Sequence, residues 1–70
     1  MSLSYRPLWI ELEKRKIKRG ELQELAGISG NVIAKLGNNY PISMLNIERI
    51  CTSLDLTPSE VFEFTEESDK

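Results

Sequence analysis

The chain contains no histidine and a single cysteine, Cys51. Those shortages exclude zinc fingers, His-based general acid–base catalysis and a Ser-His-Asp nucleophile. A lone thiol forms no internal disulfide, so folding makes no demand on an oxidising compartment. No apolar run approaches the ~20 residues needed to cross a bilayer, and no signal-peptide or lipidation pattern opens the sequence. Internal repeats and low-complexity tracts are missing too. No constellation of catalytic or metal-binding side chains stands out, so neither an enzyme nor a cofactor is expected. What is present is 70 residues, 40% hydrophobic and 29% charged. That length allows one domain, burying about 60% of its unfolded surface.

The charge is small overall, −2, but unevenly placed. Residues 1–40 carry seven cations against four anions, whereas residues 41–70 carry two against seven. Lys14, Arg15, Lys16, Lys18 and Arg19 supply five of the nine cations. This is either one cationic face with an acidic tail or a solvated basic loop between helices.

Residues 1–6 read as an extended N-terminus, with Leu3 and Tyr5 alternating against polar neighbours. Pro7 suits the first turn of a helix over about 7–15, carrying Leu8, Trp9 and Leu12. A second helix over about 19–26 presents Leu22, Leu25 and Ala26, and Gly27 stops it. Ser29 caps a third, through Val32, Ile33 and Leu36, that Gly37 ends. Asn38-Asn39-Tyr40-Pro41 is a turn cluster. Ser43 caps a fourth helix bearing Ile47, Ile50, Cys51 and Leu54 at i, i+3, i+4, i+7. Thr57-Pro58-Ser59-Glu60 is a capping box opening a fifth, short helix to about Phe62. The expectation is a compact, all-α, five-helix body over 7–62. Phe64 is expected to meet Leu3 or Tyr5 in a short pairing of the two ends, with 65–70 a frayed acidic tail.

The informative stretch is residues 19–36. Helices separated only by Gly27-Ile28-Ser29 must cross steeply, as in a helix-turn-helix. Leu22, Ala26, Ile28, Ile33 and Leu36 would bury. Asn31, Lys35 and Asn38 would point outward, with Ser29 and Gly30 at the exposed start. Asn can pair with adenine, Lys with guanine or phosphate, and small Gly30 and Ala34 would allow deep seating in a groove. The same spacing also describes a solvent-facing polar stripe.

The run Arg19…Leu22…Leu25-Ala26-Gly27-Ile28-Ser29…Ile33…Leu36, followed by Ile47…Ile50-Cys51…Leu54-Asp55-Leu56, resembles the lambda-repressor/Cro type of helix-turn-helix, the xenobiotic-response-element family of small regulators. The likeness spans about Pro7 to Phe62. It implies a cytoplasmic, sequence-specific transcriptional regulator whose recognition helix, about 30–37, enters the major groove of double-stranded DNA, commonly as a homodimer. Positions carried over as base-contacting are Ser29, Gly30, Asn31, Ala34 and Lys35. Phosphate contacts fall on Lys18, Arg19, Asn38, Asn39 and Tyr40. Gln23 stands where the family usually has Ala, so it must snorkel outward or open the helix crossing. Lys18 is no cap, leaving the first N–H groups of the second helix for a phosphate, unless Glu21 already compensates the dipole.

Other residues have plainer readings. Cys51 lies on an apolar stripe and is expected to be structural. Glu11 and Glu13 face opposite ways. Glu63, Glu66, Glu67 and Asp69 form a cation site or, more simply, a solubilising tail. Trp9 is either core or a lid over Ile17. Ile10, Val61, Phe62 and Phe64 either form a dimer patch or seal a thin core. A rival function on the same fold is a protein-interaction module, such as an antitoxin or partner-binding regulator.

Overall fold

The computed structural model describes residues 1–66. The chain runs β1 (Ser2–Ser4), α1 (Arg6–Arg15), α2 (Arg19–Ala26), α3 (Gly30–Gly37), α4 (Met44–Leu54), a 3-10 turn (Pro58–Glu60) and β2 (Glu63–Thr65). The body is therefore four α-helices and a two-stranded sheet. The fifth helix expected to reach Phe62 is a single 3-10 turn. Its cause is local: Val61 N–H bonds Pro58 O at i→i+3 spacing, and from Glu63 the chain is taken into β2. Thr57 opens that turn as expected, its N–H (2.9 Å) and hydroxyl (3.1 Å) both donating to Glu60 Oε1.

β1 and β2 pair antiparallel, Ser2 opposite Thr65, Leu3 opposite Phe64 and Ser4 opposite Glu63. The expected meeting of the ends through Leu3 and Phe64 is realised. Thr65 belongs to this sheet rather than to a frayed tail; residues 67–70 lie outside the described residues. Pro7 sits in the first turn of α1, which begins one residue earlier than read, at Arg6.

The core gathers Tyr5, Leu8 and Leu12 with Leu22, Ala26, Ile28 and Leu36, closed by Ile47, Ile50, Leu54, Leu56 and Val61. Truncating a fully buried Leu such as Leu22 or Leu36 would cost about 2–5 kcal/mol. Two expected roles change. Leu25 is 56% exposed, because Leu22 and Ala26 already define the buried edge of this two-turn helix. Val61 is fully buried, so it cannot join Ile10 and Phe64 in a surface patch, and Phe62 is only partly open. Cys51 is half-buried, and burial, aided by the Glu60 charge, raises its thiol above the ordinary range. It is thus held in the unreactive protonated form.

Polar ties lock the helices. Arg15 donates from Nη1 to Leu54 O (2.7 Å) and from Nε to Glu11 Oε1 (3.2 Å), fastening the end of α1 to the end of α4. Tyr5, between β1 and α1, donates its hydroxyl to Tyr40 O (2.6 Å) and its N–H to Asn39 Oδ1 (3.2 Å). Burial raises the Tyr5 phenol above its usual range, partly opposed by the backbone at Ile42.

Candidate nucleic-acid interface

The α2–α3 turn is built from backbone rules. Gly27 adopts φ +66°, a left-handed conformation that glycine takes without steric cost. Ile28 N–H then reaches Gln23 O (3.2 Å), and the Ile28 side chain drops into the core. Ser29 starts α3 by accepting Val32 N–H on Oγ (3.4 Å). From below, Arg49 of α4 donates to Gly27 O (3.2 Å) and staples the turn to the body.

Leu36 anchors α3 in the core, with Val32 and Ile33 partly buried beside it. Gly30, Asn31, Ala34 and Lys35 are all exposed, as is Ser29, whose Oγ is engaged in the cap. The five residues assigned to base contact thus share the solvent side of one short segment. Gln23 takes the first of its two options and snorkels outward: its Oε1 lies 4.0 Å from where a Cβ on Gly30 would stand. That distance is ordinary van der Waals contact.

Beyond α3 the loop is constrained. Asn38 donates from Nδ2 to Ala34 O (2.9 Å), and Tyr40 N–H reaches Lys35 O (2.8 Å). Asn39 reverses the chain at φ +58°, a conformation Asn tolerates better than most residues, and its Oδ1 is occupied by Tyr5. Asn38 and Asn39 therefore carry structural duties that turn chemistry alone did not reveal. The Tyr40 side chain is exposed.

At the start of α2, Glu21 Oε1 accepts the Lys18 N–H (2.9 Å). The Lys18 side chain has no acceptor atom, so the N–H groups of the first helical turn receive no side-chain cap. Glu21 thus supplies negative charge beside first-turn N–H groups that, among the described residues, no side chain caps. Arg19 stacks its guanidinium on the Trp9 ring, 4.4 Å from the ring centre. Trp9 packs on the edge of the core, lining one surface hollow with Ile17. It is half-buried against the core and supports a cation. The chain separation of Trp9 and Arg19, across the turn at Lys16–Lys18, left no signal in the periodicity.

Two helices joined by the short turn Gly27–Ser29, the second with an exposed polar side, define a helix-turn-helix protein. Residues 7–67 match the family model of the Cro/C1-type HTH DNA-binding domain. The chain belongs to that family. It is also similar to the crystal structure of the transcriptional regulator VanUg, with a TM-score of 0.88 and 36% identity over 94% of this chain and 88% of that one. No curated protein matches. Among the described residues, no helix is long and apolar enough to cross a membrane, and no group of acidic or sulfur side chains could hold a metal ion.

Proposed function

We propose that this protein is a transcriptional regulator that binds specific double-stranded DNA, with α3 seated in the major groove. One observation carries the reading. The side of α3 away from Leu36 offers Asn31 and Lys35 to solvent between small residues, Gly30 and Ala34, on a turn stapled from beneath. A rigid, narrow helix with polar tips is what a major groove about 12 Å wide admits. Ser29, Asn31 and Lys35 read base edges, and Gly30 and Ala34 let the backbone approach or meet a thymine methyl. Lys18, Arg19, Asn38, Asn39 and Tyr40 face phosphates; Asn39 does so through Nδ2, since its Oδ1 is taken. Promoter occupancy is the mechanism, in the cytoplasm, and a single domain spanning 1–70 performs it.

A second copy on an adjacent half-site would extend the footprint to a pseudo-palindrome. The surface for it includes Phe64 and Met44, flanking a shallow apolar groove lined by Leu3, Ile42 and Phe62.

Selection from random duplexes followed by salt titration tests the reading. Log affinity should fall with log salt by about 0.9 per neutralised phosphate. Asn31→Ala should change the preferred sequence, whereas Arg19→Ala should weaken every sequence about ten-fold. Retention of DNA that ignores both changes would favour the protein-interaction module instead.

A further inference from the structure

Arg15 and Arg49 spend guanidinium donors on backbone carbonyls, Leu54 O and Gly27 O. Arg19 differs. Its guanidinium lies over the Trp9 ring, yet among the described residues its N–H groups have no hydrogen-bond or ion-pair partner. Stacking on an aromatic face fixes the plane of a guanidinium while leaving its in-plane donors free. Gly37 of α3 also lies close beside the group. A Cβ on Gly37 would stand 3.1 Å from Arg19 Nη1 and 3.9 Å from Cζ. Gly37 has no positive φ, so backbone conformation does not call for glycine there. Glycine also weakens a helix. Room for the guanidinium is the feature that accounts for it.

We infer that Trp9 and Gly37 are positioning residues that hold the Arg19 guanidinium ready for a DNA phosphate, one through its ring face and the other through its missing side chain. This rests on the reading of Arg19 as a phosphate contact. A group already oriented loses less freedom on binding than a free side chain, and the fork geometry suits a phosphate better than an ammonium would. The arrangement joins α1, α2 and α3 at one point, so the anchoring cation keeps its place relative to the exposed side of α3.

The test is a double-mutant cycle on the full chain, read as affinity for a mixed-sequence duplex across a salt series. Trp9→Leu, which removes the ring face, and Gly37→Leu, which fills the space, should each weaken binding about five-fold. Each should also reduce the slope of log affinity against log salt, toward the loss of about 0.9 expected for Arg19→Ala. Trp9→Phe should retain most of the affinity. Gly37→Ala should lose less than Gly37→Leu while raising the melting temperature. In the Arg19→Ala background the costs of Trp9→Leu and Gly37→Leu should vanish. If those costs persist there, or if the two variants leave affinity and salt slope unchanged while Arg19→Ala lowers both, the positioning role is overturned and the phosphate reading survives. If Arg19→Ala itself has no effect, both fall. Should Trp9→Leu fail to fold, by circular dichroism, the Gly37 series decides alone.

Discussion

The basic cluster Lys14–Arg19 splits at Ile17 into two regions that use the same charges differently. At the end of α1, Arg15 is consumed by Glu11 and Leu54 O. Lys14 and Arg15 also lower the acidity range of Glu60, after its bonds from Thr57. This half is exposed but tied to structure, through Arg15 to α4 and by charge to the 3-10 turn. At the start of α2, Arg19 is held by an aromatic face, its donors unspent among the described residues. Five neighbouring cations therefore do not make one patch. What matters is which acceptors the fold has already supplied.

The contrast is open to direct attack. Arg15→Ala should lower stability by about 1–2 kcal/mol in urea melts, since it orphans a carbonyl and removes two bonds to a charged group. DNA affinity per folded molecule should stay unchanged. Arg19→Ala should do the reverse, with about ten-fold weaker binding, equivalent to about 1.4 kcal/mol, and stability in the melt lowered by at most about 0.5–1 kcal/mol, the worth of an exposed cation–π contact. If both variants lose the same property, the division at Ile17 is wrong.

A smaller effect probes the boundary itself. Lys16 ends α1 at φ +58°, where a side chain is strained. Lys16→Gly should relieve that strain and raise stability by about 0.5 kcal/mol, the gain being trimmed by the greater freedom of glycine in the unfolded chain. DNA affinity should hold, marking Lys16 as part of the structural half.

The smallest effect concerns acid. Glu60 accepts the Thr57 N–H and hydroxyl, which puts its folded pKa below the ordinary carboxylate range. The stability it adds is therefore present above the unfolded value and is lost as pH falls through the folded one. Glu60→Gln should flatten the acid end of a melting-temperature profile below the carboxylate range while leaving neutral DNA binding alone. A profile unchanged by that substitution would remove Glu60 as a partner of the structural half.

The sequence carried the four helices and three of their caps, because Ser29, Ser43 and Gly27 each act on the backbone within a few residues; the left-handed ends at Lys16 and Asp55 carry no glycine to announce them. A meeting of Phe64 with the N-terminus was also legible, but Leu3 and Tyr5 alternate alike in the sequence, and only the structure gives Leu3 to Phe64 and Tyr5 to the core. Tertiary competition was harder to read. Leu25 fits a helical apolar stripe but a helix of eight residues buries a narrow edge, and Leu22 and Ala26 occupy it. Val61 looked available for association until the 3-10 turn directed it into the core. In the candidate site, the exposure of Asn31 and Lys35 followed from period alone. The second duties of Asn38 and Asn39, and the seat of Arg19, needed distances that no periodicity encodes.

The clasp between β1 and β2 joins positions 63 apart in the chain, as in the bond from Thr65 Oγ1 to Ser2 O. Closing so long a loop is entropically costly for three short pairs, and strand ends are where native structure opens first. Tyr5 lies directly after β1 and holds Asn39 and the Tyr40 carbonyl. Unzipping of the chain ends therefore loosens, one residue later, the loop that follows α3. Amide hydrogens of Leu3 and Phe64 should exchange earliest, and Tyr40 next, well ahead of those in α4.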